Sequence, residues 1–192
     1  MALLSGAVTL DHGPVFCIQM NIVLIGFTSC GKSAAGQRLA QDMGLTFLDL
    51  DDEIEDLSEA RTGARRRCRE IYREEGADGF RSLETDALIQ VSSRDNVILA
   101  TGGGAPVAAA NQTILARFGT CVYLRAAAQT ILARMQDKGM PAFIAADPTI
   151  ENLTRVMNER DAVYAQVADH TIDTDERSPE AVAKAIGDRL GI

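Results

Sequence analysis

Histidine and cysteine are scarce: among 192 residues there are 2 of the first and 4 of the second. His12 and His170 are too few and too far apart to suggest a metal site on their own. Cys17, Cys30, Cys68 and Cys121 have neither paired metal-ligand spacing nor the density of a secreted disulfide scaffold, so they read as reduced thiols in a cytoplasmic setting. No apolar run approaches the length of a membrane span, and no membrane partner is expected. Positive charge is also in deficit. With 19 Lys and Arg against 27 Asp and Glu, the net charge is −8 and the pI about 4.8, which argues against nucleic acid as a partner. An anionic small substrate would need local arginines of its own. Internal repeats, coiled-coil heptads and low-complexity blocks are absent as well.

What remains is an ordinary globular composition, 46% hydrophobic and 24% charged, at a length that can bury one real core. Residues 1–19 resemble no export signal, since Asp11 and His12 interrupt their apolar character and no basic leader precedes it. They read as a disordered extension before a single domain over 20–192. Cys30 reads as a small filler residue.

The informative stretch is Gly26-Phe27-Thr28-Ser29-Cys30-Gly31-Lys32-Ser33, directly after the apolar run Ile22-Val23-Leu24-Ile25. It fits the phosphate-binding pattern G-x-x-x-x-G-K-[ST], with a short buried strand before it and a helical pattern after it. Glycines at 26 and 31 let successive backbone N–H groups face a phosphate. The helix beginning near Lys32 adds its positive end. Lys32 can then reach the outer phosphates as a point charge, and the Ser33 hydroxyl is placed for the Mg2+ that accompanies a nucleotide.

Strands and helices alternate from there on, which implies a parallel sheet with ligands gathered at its carboxyl end. Leu39, Ala40 and Met43 continue a helical face that Gly44 stops. Thr46 to Asp51 reads as a short strand running into acids, which puts Asp49 and Asp51 beside the phosphate loop. Val97-Ile98-Leu99-Ala100 is a strand ending in Thr101-Gly102-Gly103-Gly104, a glycine run suited to close approach of a ligand. Cys121 to Leu124 and Thr171 to Asp173 are further strands, and Ser178-Pro179 caps the last helix.

Between these lie two less regular stretches. Residues 60–79 are polar, with Arg65, Arg66 and Arg67 in a row as a solvated face and Glu74-Glu75-Gly76 closing a helix. A longer helix starts at Phe80, on which Arg81 and Glu84 are spaced to pair. Residues 136–148 lose periodicity around Gly139, Pro141 and Pro148 and read as a lid. In the helix from about 149 to 165, Arg160 shares a face with Val156 and Tyr164 and needs an anionic partner.

A phosphate loop followed by an acidic strand end, placed arginines and a lid, without the Asn-Lys-x-Asp segment of a switch GTPase, suggests phosphoryl transfer to a small anionic acceptor. From Asn21 onward the chain resembles the shikimate kinases, of the nucleoside-monophosphate-kinase-like group. The residues that carry the resemblance are Gly26 to Ser33, Phe47 to Asp51, Phe80-Arg81 with Glu84, Gly102 to Gly104, Glu159-Arg160 with Tyr164 and Val167-Ala168, and the loop from Asp173 to Pro179.

The resemblance implies an α/β, three-layer P-loop kinase fold: a central parallel sheet of about five strands flanked by helices, with a substrate-binding helical segment over about 51–80 and a lid over about 136–148. It implies ATP-dependent phosphorylation of the 3-hydroxyl of shikimate, with Mg2+, by a monomer. Lys32 and Asp51 would be catalytic. Ser29, Cys30, Gly31, Lys32, Ser33, Ala34, Arg134 and Arg177 would bind ATP. Asp51, Arg81, Gly103 and Arg160 would bind the acceptor, and Ser33 and Asp49 the metal. The family pattern departs at Met140, where the lid has an arginine, and in the arginine-rich segment before Arg81. A kinase for another small hydroxy acid and a nucleotide-binding regulatory module without turnover are the alternative readings.

Overall fold

The computed structural model describes residues 20–138, 144, 147 and 149–192, with the side chains of 137 and 138 excepted. The expected extension over 1–19 lies outside these residues. So do 139–143, 145, 146 and 148 of the expected lid, Met140 among them.

Among the described residues, five short strands form one parallel sheet in the order β2-β3-β1-β4-β5, as expected for alternating strands and helices. They are β1 (Ile22–Ile25), β2 (Thr46–Asp49), β3 (Val97–Ala100), β4 (Thr120–Arg125) and β5 (His170–Asp173). The central β1 and β3 are buried along their whole length, which is why both read as continuous apolar runs with no alternation. The chain order of the helices is α1 (Lys32–Met43), α2 (Leu50–Thr62), α3 (Cys68–Val91), α4 (Ala109–Phe118), α5 (Ala128–Lys138), α6 (Ile150–Val167) and α7 (Pro179–Leu190). Helices α1 and α7 pack together on one face, and α4 and α6 lie against β4 on the other, giving three layers.

Three local findings refine the sequence reading. Strand β2 stops at Asp49, whose side chain caps α2 by accepting the N–H of Asp51 at 3.1 Å, so Asp51 stands in a first helical turn instead of on a strand. Helix α3 joins two helical segments across a kink at Gly76 (φ 72°, ψ −177°), so the helix expected from Phe80 starts directly after that kink. The expected helix end at Glu74-Glu75-Gly76 coincides with this break, where the backbone leaves helical geometry. The third is α4, which sequence periodicity left unassigned; its short apolar set, Leu115 and Phe118, gives little signal.

Candidate active site

The phosphate loop joins β1 to α1, and its geometry follows from its glycines. Gly26 has φ +141°, and a Cβ there would stand 2.5 Å from the Leu124 carbonyl oxygen. Only glycine meets both conditions. Gly31 has φ +106° with open space around it, so backbone conformation alone requires it. Ser29 also takes a positive φ of 62°, an uncommon conformation for a side-chain-bearing residue, held by the loop around it. Helix α1 has no side-chain cap, so its first N–H groups face the cleft. Lys32 is buried and donates from Nζ to the carbonyls of Gly26 at 2.9 Å and Phe27 at 2.8 Å. Its charge is thereby fixed within the loop.

Ser33 Oγ donates to Asp49 Oδ2 at 2.7 Å, so the two residues expected at a metal do converge. Asp51 opens into the cleft but is crowded by protein. Desolvation, reinforced by the negative charge of Asp49 and only partly offset by Lys32, raises its carboxyl to about 6.

Three clefts adjoin along the carboxyl ends of the strands. The central one, about 300 Å³, is lined by the loop, Asp49, Asp51 and Thr101 to Gly103. A second, about 290 Å³, shares Thr28, Asp51, Gly102 and Gly103 with it and continues to Cys68, Arg69, Tyr72, Phe80, Arg81, Glu84 and Arg160. A third, about 190 Å³, shares Ser29, Gly31 and Ala34 with the first and is walled by Arg134, Thr174, Arg177, Pro179 and Val182.

Each expected site residue lies on one of these walls or on the loop. Arg81 donates to Glu84 at 2.5 Å, the pair that their spacing predicts. Glu84 is buried, and its carboxyl is raised by desolvation against the opposing pull of Arg81. The Arg160 guanidinium lies 5.3 Å from the centre of the Phe27 ring. Arg134 donates to Cys30 O at 3.1 Å and to Thr174 O at 2.9 Å, and so ties the phosphate loop to the loop after β5. The glycine run approaches protein groups closely: a Cβ on Gly104 would sit 2.2 Å from Arg81 Nη2, and one on Gly102 would sit 2.9 Å from Asp51 Oδ1.

The family model for shikimate kinase matches residues 28–191 of this chain. The chain belongs to the shikimate kinase family. Shikimate kinase from Chromobacterium violaceum is 39% identical over 171 residues, covering 88% of this chain and 89% of that protein. The Aeromonas salmonicida shikimate kinase is 38% identical over 173 residues, or 90% and 97% of the two chains. Among solved structures, shikimate kinase from Acinetobacter baumannii in complex with shikimate superposes with TM-score 0.79 at 35% identity, over 91% of this chain and 94% of that one. The Aquifex aeolicus shikimate kinase gives 0.71 at 27%, over 90% and 96%.

Several contacts that build this shikimate-kinase cleft escape a reading of motifs, two of them at residues, Tyr164 and Thr174, that lie within the motifs themselves. Buried Glu55 accepts the Cys68 backbone N–H and an Arg67 N–H, both at 3.1 Å, which fastens α3 to α2. Tyr164 is buried, and its hydroxyl donates to Gly103 O at 2.5 Å, linking α6 to the glycine run. Thr174 Oγ1 donates to Cys30 O at 3.1 Å. Thr174 could have been found from its place just past the carboxyl end of β5, where ligands gather. Glu55 carries no such signal, because its partners are 12 and 13 residues away across a turn.

Proposed function

We propose that this chain transfers the γ-phosphate of ATP to the 3-hydroxyl of shikimate. The observation that carries the reading is the position of Asp51, on both the phosphate cleft and the arginine-lined cleft beside it. The adenosine end of ATP lies toward Arg134 and Arg177, and its phosphates on the loop, where Lys32 neutralises the outer oxygens and Ser29 to Ala34 supply the surrounding wall. Arg81 and Arg160 hold the acceptor carboxylate, a task suited to the guanidinium fork. Gly103 lets the backbone come close to the acceptor ring.

In the transfer, the acceptor hydroxyl oxygen forms a bond to the γ-phosphorus, and the bond from that phosphorus to the bridging oxygen of ADP breaks. The hydroxyl proton passes to the Asp51 carboxylate, whose raised affinity for a proton suits this step at neutral pH. Alignment and charge neutralisation do the rest.

Mg2+ fits the donor set. Ser33 Oγ and Asp49 Oδ2 are hard oxygens brought together at 2.7 Å, and magnesium is held by few protein oxygens along with phosphates and water. Among the described residues no cluster of three acidic, histidine or cysteine side chains offers an all-protein cage. When bound, the ion would neutralise phosphate charge there. The helical segment over about 51–80 serves as the acceptor wall and the stretch over about 136–148 as a lid, within one domain over 20–192. A cytoplasmic monomer without nucleic-acid or membrane partners completes the reading, in keeping with the free thiols of Cys30, Cys68 and Cys121 and the acidic net charge.

A coupled assay of ADP release with MgATP and shikimate tests the proposal. Turnover that requires shikimate and falls at least about a thousandfold in Asp51→Asn is the expected result. MgATP binding without shikimate-dependent turnover would overturn it and favour the regulatory reading.

A further inference from the structure

Four arginines at the junction of α2 and α3 have different surroundings. Arg65 meets Asp56 at 2.7 Å and Glu59 at 3.0 Å, and Arg66 meets Glu75 at 2.7 Å and Glu74 at 3.1 Å. Arg67 meets Glu55 at 3.1 Å. These three hold the segment together, so their charge is answered by protein carboxylates. Arg69 is different. It is exposed, makes no ion pair among the described residues, and lines the cleft that holds Arg81 and Arg160. Helix formation does not account for it, because it stands in the first turn of α3, where the macrodipole disfavours a cation.

Charge balance in that cleft gives Arg69 a role. Arg81 is answered by Glu84 at 2.5 Å. The lining as a whole carries three arginines, Arg69, Arg81 and Arg160, against two carboxylates, Asp51 and Glu84, so Arg69 turns a neutral set into one of net positive charge. In a chain of net charge −8, an entering carboxylate otherwise meets a wall of no net charge surrounded by a repulsive field.

We propose that Arg69 is a third acceptor-binding arginine, a specificity-determining residue that draws a carboxylate-bearing acceptor into the cleft and contacts that carboxylate. The inference rests on the transfer reaction proposed above and deepens it. Arg69 acts on capture of the acceptor; the transfer step is left to Lys32 and Asp51. Neutral polyols of the same shape lose this contribution.

Steady-state kinetics on the full chain test the role, with Arg69→Ala, Arg69→Lys and Arg73→Ala compared. Arg73 is exposed on the same helix but lines neither the phosphate nor the acceptor cleft, so its removal changes net charge equally. Arg69→Ala should raise the KM for shikimate about five- to twentyfold, with kcat within about twofold and the KM for ATP unchanged. Arg69→Lys should recover most of the loss, and Arg73→Ala should leave the KM in place. With the carboxamide of shikimate as acceptor, the Arg69→Ala penalty should shrink to about twofold or less. An unchanged KM in Arg69→Ala, an equal rise in Arg73→Ala, or an undiminished penalty on the carboxamide would each overturn the role of Arg69 while leaving the reaction standing. Failure of the unaltered chain to turn over shikimate would overturn both.

Discussion

On the proposed nucleotide side of the cleft, the loop from Gly26 to Ser33 is held largely by backbone: two glycines at positive φ, a helix N-terminus, and a lysine that bonds two loop carbonyls. On the proposed acceptor side, the wall made by α2 and α3 is held by side chains. Glu55 anchors the start of α3, Arg65 to Arg67 bridge to five carboxylates, and Glu84 orients Arg81. Backbone geometry constrains residue type tightly, whereas a network of ion pairs can be assembled from many sequences. The two sides should therefore fail differently when altered.

The largest effect is expected at Lys32. Lys32→Met removes the charge proposed to neutralise the outer phosphates, so kcat should fall at least about a hundredfold while the KM for shikimate stays within about threefold. A comparable collapse of shikimate affinity would show that the two sides are not separable.

Glu55→Ala attacks the acceptor side in the same spirit. It strips the Cys68 N–H and Arg67 of a buried acceptor, at a cost of about 2 kcal/mol in unfolding free energy, less than a fully buried pair because Arg67 is largely solvated. Denaturant melts should register that loss, and the KM for shikimate should rise with the KM for ATP unmoved. Equal shifts in both constants would break the distinction.

Tyr164→Phe is the mildest and the most discriminating of the three. Its hydroxyl joins α6, which carries Arg160, to Gly103, which lines both clefts. Losing that bond should destabilise the chain by about 1 kcal/mol and move both KM values together by about two- to threefold. A shift confined to one substrate would assign Tyr164 to that side.

The same contrast explains what could be read in advance. The phosphate loop was legible because its glycines, lysine and serine each answer a local physical demand, and the strands because β1 and β3 are buried enough to be apolar throughout. Pairing of Arg81 with Glu84 was legible because a helix puts residues three apart in contact. The sequence puts Asp51 beside the phosphate loop, as the structure does, but on a strand; the cap formed by Asp49 ends β2 two residues before it. Long-range contacts were not legible. Tyr164 and Gly103 are 61 positions apart, and nothing local to either residue announces the bond. The glycine run in the sequence suits close approach of a ligand, and in the structure its tightest neighbour is the Arg81 guanidinium. Both follow from the same missing Cβ.

The most direct test of the account is to identify the product. Full-length chain incubated with MgATP and shikimate should yield, by phosphorus NMR, ADP and one phosphate monoester coupled to the proton on the 3-carbon of shikimate. Inorganic phosphate in place of that ester, or an ester on a different hydroxyl, would contradict the placement of Asp51 between the two clefts as the group that directs the transfer.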